Sequence, residues 1–219
     1  KKEYFQLNRD ASRADVLLTQ MFPAHVADAL KRGEKVKPEE KENVTIFFSD
    51  IVNFTSISSR VSADKISHML NTLYTAFDAL VEKHGIYKLE TIGDAYMAAA
   101  NLVLPQEEDH ALRVAGFALD AVEAASNILL DDDQPQLGTV TLRVGIHSGP
   151  VVASLIGTQK LKYTLFGDTM NVSSRMESSS LPGKIQCSKV TILRGADSHI
   201  IVTERGEIPI KGKGIMTTY

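Results

Sequence analysis

The sequence predicts an α+β domain in which helices pack on one face of an antiparallel or mixed sheet. Two observations lead to this fold class. The first half alternates β-rich runs with long amphipathic stretches in the order strand, helix, hairpin, helix, strand. The second half has shorter elements of both kinds, which indicates a smaller C-terminal α/β subdomain. With 219 residues, 43% of them hydrophobic, the chain is long enough to bury one full core.

The first predicted element is a helix over residues 10–30, where apolar side chains recur at helical spacing. Pro23 has no N–H to donate, so it must kink or restart this helix. The charged stretch at 35–43 is predicted as a linker. We therefore expect residues 1–43 to form a helical segment and linker, which either packs on the domain or transmits a signal from an upstream regulatory module. Residues 44–219 form the main domain.

The main domain is predicted to contain two long helices and several strands. Ser62 is a good N-cap for the first long helix and Gly85 a good stop, while Gly93-Asp94 is a hairpin signal. The second long helix has an apolar stripe of Leu112, Ala115, Leu119 and Val122. The predicted strands are 44–49, 86–91, 95–100, 140–146, 161–166, 185–187, 200–203 and 207–210, and the predicted helices are 63–84, 107–130, 169–179 and a short one after Ser188.

Composition excludes several classes of protein. Acidic residues outnumber basic ones by 27 to 24, so no excess positive charge draws the domain to nucleic acid or to an anionic membrane. The single cysteine, Cys187, excludes an intrachain disulfide and a cysteine-rich zinc site, which favours a cytoplasmic location. No apolar run is long enough to span a bilayer, so we expect no membrane contact by this fragment, whatever the parent protein does. The acidic run 131–133 is predicted as a solvated loop.

Two aspartates follow predicted strands. Asp50 ends an apolar run, and Asp94 lies at the tip of the predicted hairpin. If the sheet brings these two tips together, their carboxylates need a cation to neutralise them. Oxygen ligands of this kind suit Mg²⁺ or Mn²⁺ bound together with substrate phosphates. The alternative is that each aspartate only caps a strand end or a turn.

Other polar residues suit an anionic ligand. Asn171 and Arg175 lie four residues apart and so share one helix face, where they would contact a polyanion or a ribose, or else only each other. Lys211 and Lys213 lie on a glycine-rich turn that suits phosphate. His147 is either a base or a hydrogen-bonded histidine of a strand end.

Five motifs occur in one order: Phe-Phe-Ser-Asp-Ile-Val, Glu-Thr-Ile-Gly-Asp-Ala-Tyr-Met, Arg-Val-Gly-Ile-His-Ser-Gly-Pro-Val, Leu-Phe-Gly-Asp-Thr-Met-Asn-Val-Ser-Ser-Arg-Met-Glu and Ile-Lys-Gly-Lys-Gly. From about Val44 onward, the chain resembles the catalytic domain of the class III nucleotidyl cyclases, the adenylyl and guanylyl cyclases. The resemblance implies a ferredoxin-like, palm-type βαββαβ core. It also implies a head-to-tail homodimer with two active sites at the interface.

The resemblance implies an enzyme, a phosphorus–oxygen lyase that converts a purine nucleoside triphosphate into the 3′,5′-cyclic monophosphate and pyrophosphate. In that family the residues matching Asp50 and Asp94 hold two divalent cations, Mg²⁺ or Mn²⁺, and the backbone carbonyl at Ile51 helps. The residues matching Asn171 and Arg175 come from the other chain of the dimer and contact the ribose and the triphosphate.

In the same family a lysine at the position of Lys213 binds the phosphates, and the residues matching Glu90 and Thr164 read the base. The Glu90 carboxylate only accepts hydrogen bonds, so it suits the N1–H and N2–H donors of guanine and opposes the N1 lone pair of adenine. Thr164 suits either purine. GTP is therefore favoured over ATP; the alternatives are cyclic AMP synthesis, or a regulatory domain that dimerises or binds nucleotide without efficient turnover.

One departure from the family pattern lies beside the predicted cation site. Asn53 stands where the family commonly has glycine. Asparagine tolerates a positive φ better than most residues, so we expect the backbone to be kept. The added side chain is expected to alter access of metal or phosphate to Asp50 and to reduce activity.

Overall fold

The computed structural model describes residues 14–193 and 200–219. The chain divides into two compact units. Among the described residues, the larger unit comprises residues 41–151, 166–193 and 200–219, and the smaller one comprises residues 14–40 and 152–165. After a helical stretch over 14–21, the elements are α1 (Ala24–Lys31), β1 (Glu39–Ile51), α2 (Phe54–Ser58), α3 (Ala63–His84), β2 (Tyr87–Ile92), β3 (Ala95–Ala100), α4 (His110–Ser126), β4 (Leu142–Ile156), β5 (Lys162–Phe166), α5 (Asp168–Ser178), β6 (Ile185–Cys187), α6 (Lys189–Leu193), β7 (Gly206–Ile210) and β8 (Gly214–Thr218).

The sheet of the larger unit has the strand order β2-β3-β1-β4, with β6 parallel to β4. Strand β3 is antiparallel to both β1 and β2, and Phe47 of β1 lies opposite Ala98 of β3. Helices α3 and α4 cover one face, where Phe77, Tyr96 and Phe117 pack with Phe47 in one buried cluster. A mixed sheet with these helices on one face confirms the predicted fold class.

Helix α3 begins and ends where the sequence predicts. Ser62 is its N-cap, and Gly85 ends it with a φ of 62°, a conformation that costs glycine little. Its apolar stripe is buried against the sheet because these residues recur every three or four positions. The buried members are Ile66, Met69, Leu73 and Phe77.

The face predicted for helix α4 is only partly correct, because Val122 packs against the core whereas the two leucines are exposed. Leu112 and Leu119 of the predicted stripe are 37% and 49% exposed. The helix instead buries a face of mostly small side chains: Ala111, Val114, Phe117, Ala118, Ala121 and Ala125. Small side chains let the helix approach closely to the alanine-rich strand β3, whereas the leucines would hold it away. The helix is also shorter than the predicted 107–130.

The N-terminal region partly matches the prediction. Pro23 separates the helical stretch over 14–21 from α1, which confirms the predicted restart; residues 10–13 of the predicted helix lie outside the described residues. Strand β1 begins at Glu39, inside the stretch predicted as linker, and Glu39 accepts a 2.7 Å hydrogen bond from His25 within the smaller unit. The proposed division at residue 43 stays a prediction.

One C-terminal strand prediction is wrong, one is confirmed, and one strand was missed. Residues 200–203 are not a strand, whereas the predicted strand near 207–210 is present as β7 and pairs with the unpredicted β8 in the β7–β8 ribbon. The second strand was missed because the Ile-Lys-Gly-Lys-Gly motif forms the turn of the ribbon, where Gly212 and Gly214 both have a positive φ. Strand β4 is also longer than predicted and extends to Ile156.

The acidic run 131–133 is not simply a solvated loop. Asp131 is only 6% exposed and accepts hydrogen bonds from the Asp133 backbone N–H and the Gln134 side chain. The Lys65 ammonium lies 3.4 Å from the Asp131 carboxylate. The run therefore attaches the loop to the start of α3. Within the described part of the chain, no helix combines the length and apolarity needed to cross a membrane.

Candidate active site

The sheet brings Asp50 and Asp94 together. Strand β3 pairs with β1 as far as Ser49 opposite Tyr96, which places the β2–β3 turn beside the end of β1. The Asp94 carboxylate accepts a hydrogen bond from the Ile51 backbone N–H at 3.3 Å, and Asp50 and Asp94 line the same cleft. The predicted convergence of the two carboxyl groups is therefore present.

Electrostatics make this pair a fitting site for a cation. Burial, together with the hydrogen bond and negative charge of Asp50, holds the pKa of Asp94 well above its usual range. Two such carboxylates do not both ionise readily unless a cation neutralises them. Their oxygens are ligands that Mg²⁺ and Mn²⁺ prefer. Among the described residues no group of three or more His, Cys, Asp or Glu is arranged to hold a metal, so further ligands here would be other oxygen donors, such as backbone carbonyls, water or substrate.

The turn that carries Asp94 is held in place by Tyr74 of α3. The Tyr74 hydroxyl donates a 2.9 Å hydrogen bond to the Gly93 carbonyl, and the Tyr74 ring packs 5.5 Å from that of Tyr96. Burial, with the charges of Asp94 and Asp50, raises the pKa of Tyr74, so the phenol stays protonated and can donate. The position of Asp94 therefore depends on contacts with both β3 and α3.

An open cleft of about 650 Å³ lies in front of the aspartates, lined in part by Asp50, Ile51, Asn53, Asp94 and Arg143. Asn53 has a φ of 59°, which confirms that asparagine keeps the left-handed backbone expected at this position. It is also the N-cap residue of α2. The volume suits a nucleotide-sized ligand, since small-molecule sites commonly occupy several hundred cubic ångströms.

Two charged residues of this region were missed by sequence reasoning. Arg143 of β4 donates from Nη2 to Asp50 Oδ2 at 3.2 Å and from Nε to Glu177 Oε1 at 3.1 Å. Burial raises the pKa of Glu177, and the Arg143 guanidinium offsets part of this effect. The available signal was a cation inside an apolar strand, between Leu142 and Val144, but the sequence did not show that this strand lies near Asp50.

The residues predicted to contact ribose and triphosphate lie elsewhere in the larger unit. Asn171 is exposed and Arg175 half-buried, one turn apart on α5, as predicted. Lys213, in the turn of the β7–β8 ribbon, contacts the Asp168 carboxylate at the start of α5. These three predicted residues, all within the described part of the chain, do not line the cleft at Asp50.

A β-bulge determines which face of the sheet Glu90 occupies. Lys88 pairs with Ala98 and Glu90 with Met97, so Leu89 is an extra residue in the ladder. Paired residues of an antiparallel ladder share a face, and neighbours along a strand alternate. Glu90 therefore lies with Met97 on the face opposite to that covered by α3 and α4, although simple alternation would place it beside Lys88.

The remaining candidates have simpler surroundings. Thr164 is half-buried in β5 of the smaller unit. His147 Nδ1 forms a 2.6 Å hydrogen bond with the Ser188 hydroxyl, which favours the hydrogen-bonded histidine over the base. Lys211 is exposed on the ribbon turn.

Comparison with known proteins identifies the family of the chain. Residues 36–219 match the adenylate and guanylate cyclase catalytic domain. Human retinal guanylyl cyclase 1 is 45% identical over 216 residues, which cover 98% of this chain but only 19% of that protein. The chain thus spans about a fifth of the length of this curated relative.

Two crystal structures are similar in both sequence and fold. The guanylate cyclase domain of RhGC from Catenaria anguillulae, solved in complex with GTP, is 40% identical with a TM-score of 0.75, covering 83% of this chain and 96% of that one. A non-canonical dimeric guanylyl cyclase domain from Blastocladiella emersonii is 36% identical with a TM-score of 0.73, covering 83% and 96%. These matches confirm the family predicted from the five motifs: this chain belongs to the adenylate and guanylate cyclase catalytic domain family.

Proposed function

We propose that this domain converts GTP into cyclic GMP and pyrophosphate. The observation that carries the proposal is the pairing of Asp50 and Asp94 at a nucleotide-sized cleft, with the Arg143 cation beside them. Carboxylates that need cations and a guanidinium that suits phosphate together favour a triphosphate substrate. The test is turnover of GTP and ATP side by side with Mg²⁺ and with Mn²⁺, detecting cyclic product and pyrophosphate. Cyclic GMP is the expected main product, and no cyclic product would refute the proposal.

The family is generally dependent on divalent metal. In the proposed site Asp50, Asp94 and the Ile51 carbonyl would hold two divalent cations, Mg²⁺ or Mn²⁺. When bound, such ions lower the pKa of the ribose 3′-hydroxyl and neutralise charge on the phosphates. Tyr74 fixes the turn that positions Asp94, and Arg143 supplies positive charge to the triphosphate.

The chemistry needs no side-chain nucleophile. The ribose 3′-oxygen attacks the α-phosphorus in line, the bond from that phosphorus to the bridging oxygen breaks, pyrophosphate leaves, and the hydroxyl proton passes to solvent. The contribution of the protein is orientation and charge stabilisation. Asn171 and Arg175 would contact the ribose and the triphosphate, and Lys213, once released from Asp168, would contact the phosphates.

We propose a homodimer because the residues expected to act on one nucleotide are separated in a single chain. The aspartates line one cleft, whereas Asn171 and Arg175 lie outside it on α5. A second copy in head-to-tail arrangement would place its α5 at the cleft of the first and complete two sites.

Mixing two inactive variants tests this arrangement. Asp50→Asn and Arg175→Ala should each lose turnover alone, while their mixture should regain about a quarter of the wild-type rate, because random pairing gives half heterodimers with one intact site each. The readout is cyclic GMP formation at several protein concentrations. The matched control mixes Asp50→Asn with Asp94→Asn, which lie on the same side of the site and should give no rescue. Failure of the first mixture to recover would place the whole site within one chain.

Glu90 and Thr164 are proposed to select the purine. Glu90→Lys, alone or with Thr164→Asp, should shift the ratio of GTP to ATP turnover toward ATP by about 10- to 100-fold, the size expected for a lost bidentate base contact. The measurement is kcat/KM for both nucleotides. Glu82→Lys, the same charge change on the exposed surface of α3, is the control and should leave the ratio unchanged. An unaltered ratio in Glu90→Lys would remove Glu90 from the base site.

A further inference from the structure

The Arg143 guanidinium lies between two carboxylates on different elements. Its Nη2 donates to Asp50 at the cleft and its Nε donates to Glu177 on α5. The Glu177 side chain is only 10% exposed, compared with 30% for Arg143 and 31% for Asp50. Glu177 does not line the cleft. It therefore contacts the guanidinium at Nε from a more buried position than Asp50, which contacts Nη2.

The position of Glu177 is set by a close backbone contact. Gly145 lies two residues after Arg143 on β4 and so on the same face of the strand. A Cβ added to Gly145 would lie 1.9 Å from the Glu177 backbone nitrogen, so α5 and β4 touch backbone to backbone there. Gln186 of β6 further donates a 3.1 Å hydrogen bond to the Met176 carbonyl. The segment of α5 that carries Glu177 is thus held by contacts with both β4 and β6.

We propose that Glu177 is a positioning residue, which holds the Nε side of Arg143 so that the terminal guanidinium nitrogens face the substrate phosphates. This inference rests on the proposed function, because it assigns Glu177 to the phosphate end of that same site. The guanidinium is a rigid planar fork, so fixing one edge also fixes the direction of the other.

The charge of Glu177 also affects Asp50. With both carboxylates present, the guanidinium is shared between them. Without the Glu177 charge, Arg143 would be drawn to Asp50 and would compete with a divalent cation for its oxygens. Glu177 therefore serves both ligands: it orients Arg143 toward phosphate and keeps Asp50 accessible to the cation.

The test is Glu177→Gln, which keeps the shape of the side chain and removes its charge. We expect KM for GTP to rise about tenfold while kcat falls less, because the loss of a charge-assisted contact loosens Arg143 in the bound complex. Mn²⁺ binding to the nucleotide-free protein, measured by electron paramagnetic resonance, should weaken several-fold. Glu123→Gln on the exposed side of α4 is the control and should change neither value.

A double-mutant cycle separates positioning from general stability. If Glu177 acts through Arg143, Glu177→Gln should change the KM for GTP little in an Arg143→Gln background. Full additivity, or wild-type KM and Mn²⁺ affinity in Glu177→Gln, would overturn the inference. Thermal unfolding checks that both variants fold. Because Mn²⁺ binding needs no turnover, the inference stays testable even if the domain makes no cyclic product, and failure here with intact cyclase activity would leave the proposed function standing.

Discussion

Asp94→Asn should reduce cyclic GMP formation by at least about 10³-fold while the protein remains folded. The amide keeps the shape of the side chain, but it removes the negative charge that the proposed cations require, and stabilisation of that kind is worth several kcal/mol in the transition state. The variant should unfold at the same temperature as the wild type or higher in metal-free buffer, because burial and the neighbouring Asp50 disfavour the ionised form of Asp94.

The measurements are the rate of GTP turnover with Mn²⁺ and the midpoint of thermal unfolding. Asp132→Asn, the same change at an exposed carboxylate beside His68, is the control and should retain activity within about twofold. Retained turnover in Asp94→Asn would exclude this residue from the reaction. A collapse of the unfolding midpoint would instead assign it a structural role.

Gly145→Ala should be the most damaging single methyl addition at the β4–α5 contact. The new Cβ would meet the Glu177 backbone nitrogen at 1.9 Å and the Glu177 Cα at 2.6 Å, and backbone cannot move aside as a flexible side chain can. Overpacking of this kind costs about 3 kcal/mol, which lowers the unfolding midpoint of a domain this size by about 6–12 °C. Differential scanning calorimetry measures the shift.

Gly116→Ala is the matched control. This glycine lies within α4, and its added Cβ would meet only the His84 ring, at 3.0 Å. A side chain can yield by a few tenths of an ångström, and alanine favours the helix over glycine. The control should therefore unfold within a few degrees of the wild type. An equally small shift for Gly145→Ala would show that α5 is not packed against β4 as closely as described.

The sequence predicted those parts of the fold and site that depend on local signals. The two ends of helix α3, at Ser62 and Gly85, were predicted correctly because capping and a positive φ are properties of single residues. Asn53 was expected to keep a left-handed backbone for the same reason. Asp50 and Asp94 were selected because carboxylates at strand ends and turns are recognisable within a few residues, and the family resemblance then supplied their roles.

The errors concern properties that depend on distant parts of the chain. The face of α4 was assigned to Leu112, Ala115, Leu119 and Val122 because they recur at helical spacing, but the buried face is decided by how closely β3 allows the helix to approach. Arg143 and Glu177 were missed because their contact joins residues 34 positions apart. No local pattern shows such a contact before the strand order is known.

The extra residue in β2 also separates two opposite charges. In an unbroken strand Lys88 and Glu90 would project from one face about 7 Å apart, close enough for each charge to weaken the electrostatic effect of the other. With Leu89 inserted, Lys88 instead binds Asp78 of α3 at 2.7 Å and lies over the Tyr96 ring. This β-bulge thus keeps the Glu90 carboxylate away from the nearest ammonium group along its own strand. The Lys88 ammonium links helix α3 to the sheet, and the Glu90 carboxylate lies on the opposite face.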